Sequence, residues 1–166
     1  MKLSKLFFII FFLVPSFSWA DCTEPVPVIR GSILFYQTDC TGAGDGSVAD
    51  VTFPYDEDFP FFLGLFTWPT SGGTAPDAAD ILLFDASFTS TVKLDVLGST
   101  DGSTAVNGLN GISATVPQWI PPLNAKSGAA MYPSVVGDYT MHTINQGTAG
   151  ADWSVRAYYY NPSSKK

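Results

Sequence analysis

Ala79-Asp80-Ile81-Leu82-Leu83-Phe84-Asp85, followed after a polar interval by Lys93-Leu94-Asp95-Val96-Leu97-Gly98, is the stretch that decides the fold class. Each half is a short, strongly apolar run bounded by turn-forming residues, which is how a buried strand reads. The spacing predicts two strands, Asp80 to Phe84 and Val92 to Leu97, joined by a polar turn. No window of the chain places apolar residues at i, i+3, i+4 and i+7 between helix caps. The chain is rich in Gly, Pro, Thr, Ser and aromatic residues, a composition suited to strands and turns.

Working outward, the same pattern recurs. Thr23 to Arg30 is extended but carries Pro25 and Pro27, so it suits a sheet edge rather than a centre. Ser32 to Thr38 sets Ile33 and Phe35 against Leu34 and Tyr36, the apolar-on-both-faces pattern of an interior strand. Ser47 to Phe53 places Val51 and Phe53 on one face. Phe61 to Trp68 is aromatic, with Gly64 marking a bulge or the close approach of another backbone. Ile112 to Val116 reads as a short strand, and Lys126 to Pro133 as a loop with room for one helical turn. Pro117-Gln118-Trp119-Ile120-Pro121-Pro122 is a Pro-bounded loop, extended and barred from a sheet centre. Tyr139 to Asn145 and Trp153 to Tyr160 read as a hairpin closed by Gln146-Gly147-Thr148-Ala149-Gly150. About seven to nine short strands at such spacing predict an all-β domain. The expectation is one antiparallel β-sandwich, jelly-roll or immunoglobulin-like, over residues 21–160, with a flexible tail at 161–166.

Residues 1–20 read as a secretory signal peptide. Lys2 and Lys5 precede the apolar run Leu6 to Val14, and Ser18-Trp19-Ala20 offers small residues to a signal peptidase ahead of Asp21. The run is too short for a bilayer core of about 30 Å. Asp21, directly before Cys22, argues against a lipid-modified cysteine. After cleavage, six basic residues face fifteen acidic ones, a formal charge of −9. That balance argues against nucleic acid and anionic membrane surfaces as partners, since both need clustered Lys and Arg. The expected location is secreted or periplasmic, with no membrane insertion once the signal is removed. In an oxidising compartment Cys22 and Cys40 are expected to form a disulfide tying the N-terminal segment to the first core strand.

Few residues are equipped for chemistry. His142 is the only histidine. A catalytic triad would need an acid and a hydroxyl to converge on it. Ser154, placed across the expected hairpin, is the nearest hydroxyl, but a structural histidine is the simpler reading. A zinc site needs three or four His or Cys ligands, which one histidine and a bridged cysteine pair cannot supply. Asp80, Asp85 and Asp95 are the carboxylates a glycoside hydrolase would require, yet alternation sets Asp80 and Asp85 on opposite faces. Asp45 with Asp50, or Asp56 with Asp58, are loop acids of the type that bind calcium, and solvated turn acids are the simpler reading of both pairs. No catalytic set and no cofactor is expected. Among the aromatics Trp68, Trp119, Trp153, Tyr158, Tyr159 and Tyr160, the ligand-facing candidates are Trp119, Tyr158 and Tyr160. Apolar sugar faces pack on such rings, and consecutive tyrosines in a strand alternate between faces.

One resemblance spans most of the chain after residue 20. Pro76-Asp77-Ala78-Ala79-Asp80-Ile81-Leu82-Leu83-Phe84-Asp85, then Leu94-Asp95-Val96-Leu97-Gly98, then Gly137 to Gly147 and a close on Tyr158 to Tyr160, resembles small β-rich proteins encoded by tailed phages. Gly44-Asp45-Gly46-Ser47 with Phe61 to Pro69 is similar to the first half of that family. An Ala-Asn-Arg run after the second motif is missing, the loop between Asp85 and Leu94 is longer, and the cysteine pair is outside the pattern. The resemblance implies a non-enzymatic structural or accessory module and transfers no catalytic residue. The leading expectation is therefore an exported structural or interaction module, phage- or prophage-encoded, with protein partners or self-association. The alternatives are a secreted glycan-binding sandwich and a small hydrolase built on loop carboxylates.

Overall fold

The computed structural model describes residues 21–43, 50–74, 80–85, 117–122, 137–144 and 150–163. Among them are nine strands and no helix: β1 (Asp21–Cys22), β2 (Val26–Arg30), β3 (Ile33–Thr41), β4 (Val51–Phe53), β5 (Phe61–Pro69), β6 (Asp80–Asp85), β7 (Gln118–Ile120), β8 (Tyr139–Ile144) and β9 (Asp152–Tyr160). The expected signal peptide, the strand at Val92 to Leu97, the strand at Ile112 to Val116 and the loop at Lys126 to Pro133 lie outside the described residues.

Every pair of strands is antiparallel. The larger sheet runs β1-β3-β9-β5-β7, with β2 beside β1 on the same flank of β3, and the smaller runs β4-β8-β6. Among the described strands, β3, β5, β7 and β9 belong to the larger sheet and β4, β6 and β8 to the smaller, an order that fits a jelly roll. The centre of the larger sheet is β3, β9 and β5, each nine residues long. β9 pairs with β3 from Asp152 to Tyr160 and with β5 from Trp153 to Tyr160, which satisfies its backbone on both sides.

The expected hairpin of β8 with β9 does not form. β8 pairs with β4 and β6, and β9 with β3 and β5, so the two strands face each other across the sandwich. The reason is burial. Each strand carries an apolar set on one face, Tyr139 and Met141 on β8 and Trp153, Val155, Ala157 and Tyr159 on β9. Side by side these sets would only extend one sheet. Opposed, they cover each other. Tyr139 packs on Phe62 at 5.3 Å and Tyr159 at 6.5 Å between ring centroids. Leu34, Leu65, Val51, Phe53, Ile81 and Leu83 fill the same core. Truncating Phe62 or Trp153 to alanine there would cost about 3–5 kcal/mol.

The N-terminal segment is fastened to β3 in two ways. Cys22 and Cys40 are register partners and form the disulfide. Between β1 and β2, Thr23 exchanges bonds with β3. Its N–H donates to Asp39 O at 2.9 Å, and its carbonyl accepts from the buried Thr38 hydroxyl at 2.6 Å. Beyond β9, the Asn161 N–H donates to Ser32 O at 2.9 Å.

Candidate functional site

Period-two alternation that sends Leu34, Tyr36 and Tyr159 inward sends their neighbours outward. The outer face of the larger sheet is consequently built from the other half of β3, β9 and β5, with β7 at its edge. One cross-strand row is Gln37, Arg156, Phe66 and Trp119, and the next is Phe35, Tyr158 and Gly64. Gly64 is the one place in these rows without a side chain, and the register of β5 against β9 shifts between Phe62 and Gly64. The Trp119 indole leans into that space: a Cβ on Gly64 would lie 2.8 Å from Trp119 Cζ2 and 2.6 Å from the Ile120 carbonyl oxygen. Both readings of Gly64, bulge and close approach, therefore describe the same feature.

The result is a run of aromatic rings with a cation between two of them. Trp119 meets Tyr158 at 5.6 Å, and Tyr158 meets Phe35 at 5.4 Å. The Arg156 guanidinium carbon lies 4.8 Å from the Phe35 ring centroid and 5.1 Å from that of Trp68, and Trp68 meets Phe66 at 5.5 Å. Cation–π contacts of this kind hold a guanidinium flat against the rings. The Arg156 Nε–H donates to Gln37 Oε1 at 2.9 Å. Trp119 is 48% exposed and Tyr160 36%. Beside these rings is a cavity of about 320 Å³ lined by Arg30, Ile33, Phe35, Arg156 and Tyr158. Arg30 and Arg156 are the only arginines in the sequence.

The three aromatic candidates Trp119, Tyr158 and Tyr160 thus share one face of one sheet. Trp119 sits on the edge strand β7, not in a loop. The prolines on either side, Pro117 and Pro121, are tolerated because an edge strand pairs on one side only. Trp153 and Tyr159 belong to the core instead. Sequence reading missed Arg30, Phe35, Phe66 and Arg156. For Arg156 a signal existed: it is in phase with Tyr158 and Tyr160 along β9.

The other candidates are scattered. His142 is on the outer face of the smaller sheet, where its Nδ1 is 2.5 Å from Asp50 Oδ1, with both side chains substantially exposed. Ser154 does not approach it, because Ser154 is on the larger sheet. Asp56 Oδ1 accepts the Asp58 N–H at 2.9 Å, and the Asp56 carbonyl accepts from Phe59 N–H at 3.0 Å, so Asp56 closes its own turn. Among the described residues no group of three or more His, Cys, Asp or Glu side chains is gathered as a metal site would require. Asp45 and Asp95, and the side chains of Asp80 and Asp85, lie outside the description.

Comparison with known proteins adds no family: no family model, curated protein or solved structure matches the chain.

Proposed function

We propose that this chain is an exported, non-catalytic binding module that recognises carbohydrate on the outer face of its larger sheet. The observation that carries the reading is the run of rings Trp119, Tyr158, Phe35, Trp68 and Phe66 on one face, with Arg156 between Phe35 and Trp68. Sugar rings present flat C–H faces that stack on aromatic rings, and their hydroxyls need a small number of fixed polar partners. Arg156 and Gln37, locked by their mutual hydrogen bond, supply such partners beside the rings. A rigid sheet holds these groups more accurately than loops do. The disulfide and the acidic surface fit an extracytoplasmic life.

The test is a glycan array probed with the protein and with Trp119→Ala. Retained glycans that Trp119→Ala loses by about tenfold or more support the reading. An empty array, or one that the substitution leaves unchanged, removes it.

A second reading keeps the phage-type resemblance and makes the chain a structural subunit that meets other proteins through its sheet edge. It is favoured by Val26 and Ile29 on the edge strand β2, which are 59% and 61% exposed. Exposed apolar side chains on an edge strand are a template for pairing with another chain. Sedimentation of the purified protein as a monomer, together with its absence from purified virions, would dispose of this alternative.

A further inference from the structure

We infer that the cavity between Arg30 and Arg156 takes the carboxylate of an acidic sugar, with the sugar ring laid against Tyr158. The inference rests on the carbohydrate reading above and names its ligand class.

The segment after residue 20 carries −9, and such a surface repels anions. Yet both arginines of the chain line one cavity, and among the described residues neither is paired with a carboxylate. An anion seated in that cavity meets two positively charged side chains along its lining. Their placement is built by separate devices. Arg30 ends β2, where the Gly31-Ser32 turn, with Gly31 at φ +60°, folds it back opposite Ile33. Arg156 is held between Phe35 and Trp68 and fastened through Nε to Gln37. Its two terminal nitrogens form the parallel pair that matches the two oxygens of a carboxylate.

The remaining lining chooses a sugar acid over a bare anion. Ile33, Phe35 and Tyr158 give the hollow apolar walls, and an inorganic anion has nothing to set against them. Tyr158 meets Trp119 beyond the cavity, so a ring whose carboxylate is held by the arginines has a second aromatic surface within reach. A volume of about 320 Å³ is at the lower end of small-ligand sites, roughly 300–1,000 Å³, and suits a single ring rather than a large ligand.

The experiment measures binding of the disulfide-intact protein by calorimetry to uronate oligosaccharides of the galacturonic, glucuronic and mannuronic series. Each is compared with the same oligosaccharide after reduction of its carboxyl groups to alcohols, and with dextran sulfate. At least one uronate series should bind, with its reduced form weaker by about tenfold or more. Arg30→Gln should abolish that difference while leaving the weak binding of the reduced form in place. Arg30 is an exposed edge residue, so this variant keeps its fold, and Arg156→Lys tests the second arm by retaining charge without the fork. Equal binding of charged and reduced forms overturns the inference and leaves the carbohydrate reading standing. Dextran sulfate binding as tightly as the uronates overturns carboxylate selectivity. No binding of any uronate, with neutral glycans retained on the array, overturns the acidic ligand alone. Silence of both takes the carbohydrate reading with it.

Discussion

Trp119 lies directly over Gly64, close enough that no other residue fits beneath it. An added methyl group would meet both the indole at 2.8 Å and the Ile120 carbonyl at 2.6 Å. Gly64 also has φ +143°, a region that side-chain-bearing residues rarely adopt. Gly64→Ala is therefore expected to lower stability by about 2–3 kcal/mol and to push Trp119 out of the run of rings. Urea unfolding measures the first effect. Near-ultraviolet circular dichroism measures the second, since Trp119 would lose its fixed contact with Tyr158. Unchanged spectra in a stable variant would refute the close approach.

The disulfide joins the N-terminal edge to β3 at Cys22 and Cys40, 18 positions apart in sequence. A closed loop of that order stabilises by about 3 kcal/mol in the chain-entropy account. Replacing both cysteines with alanine should lower the midpoint of thermal unfolding by several degrees while leaving the β-sheet dichroism intact, because the Thr23 bonds to Thr38 and Asp39 remain. A double variant as stable as the parent would contradict this.

Tyr159 has its hydroxyl buried with no hydrogen-bond partner among the described residues. Burial comes first in raising its pKa well above 10.0, helped by Tyr139, Tyr36 and Asp138, and Tyr36 moves the same way. Below pH 10 both folded and unfolded states keep the proton, and pH has no effect through this group. Above it the unfolded chain releases the proton while the folded one does not, so stability falls as pH rises. Tyr159→Phe should raise stability by about 1 kcal/mol at neutral pH and flatten the decline above about pH 10. Denaturant titrations of both proteins at several pH values decide the matter, and an equally steep decline in the variant would count against it.

The Asp50–His142 pair stands in solvent on the outer face of the smaller sheet. Exposed pairs contribute little, so His142→Gln should change stability by less than about 1 kcal/mol. It should also leave binding on the opposite face untouched, which calorimetry with the wild-type ligand would show. A loss of binding would move the functional surface to the other sheet.

The strand class and the two faces of each strand were legible because both are local. Leu34 and Tyr36 against Ile33 and Phe35, or Val51 against Thr52, are sorted by a side-chain period of two that needs no knowledge of the partner strand. The edge character of Thr23 to Arg30 and of the segment around Trp119 could likewise be read from prolines, which cannot complete a ladder on both sides. The misread hairpin shows where such reasoning stops. Adjacent strands with a glycine-rich connection resemble a hairpin whether they pair or cross between sheets, and the choice lies in which arrangement buries more.

Alone, then, the sequence determined an all-β chain, its cysteine pairing, and which residues of each strand seek the core. Only the tertiary structure decided that β8 and β9 oppose each other, that Trp119 reaches across Gly64 to Tyr158, and that Arg30 and Arg156 line one cavity. Alternation is written into neighbouring residues, whereas registry between distant strands follows from the shared core and from loops that close it. A surface assembled from five strands has no signature along the chain.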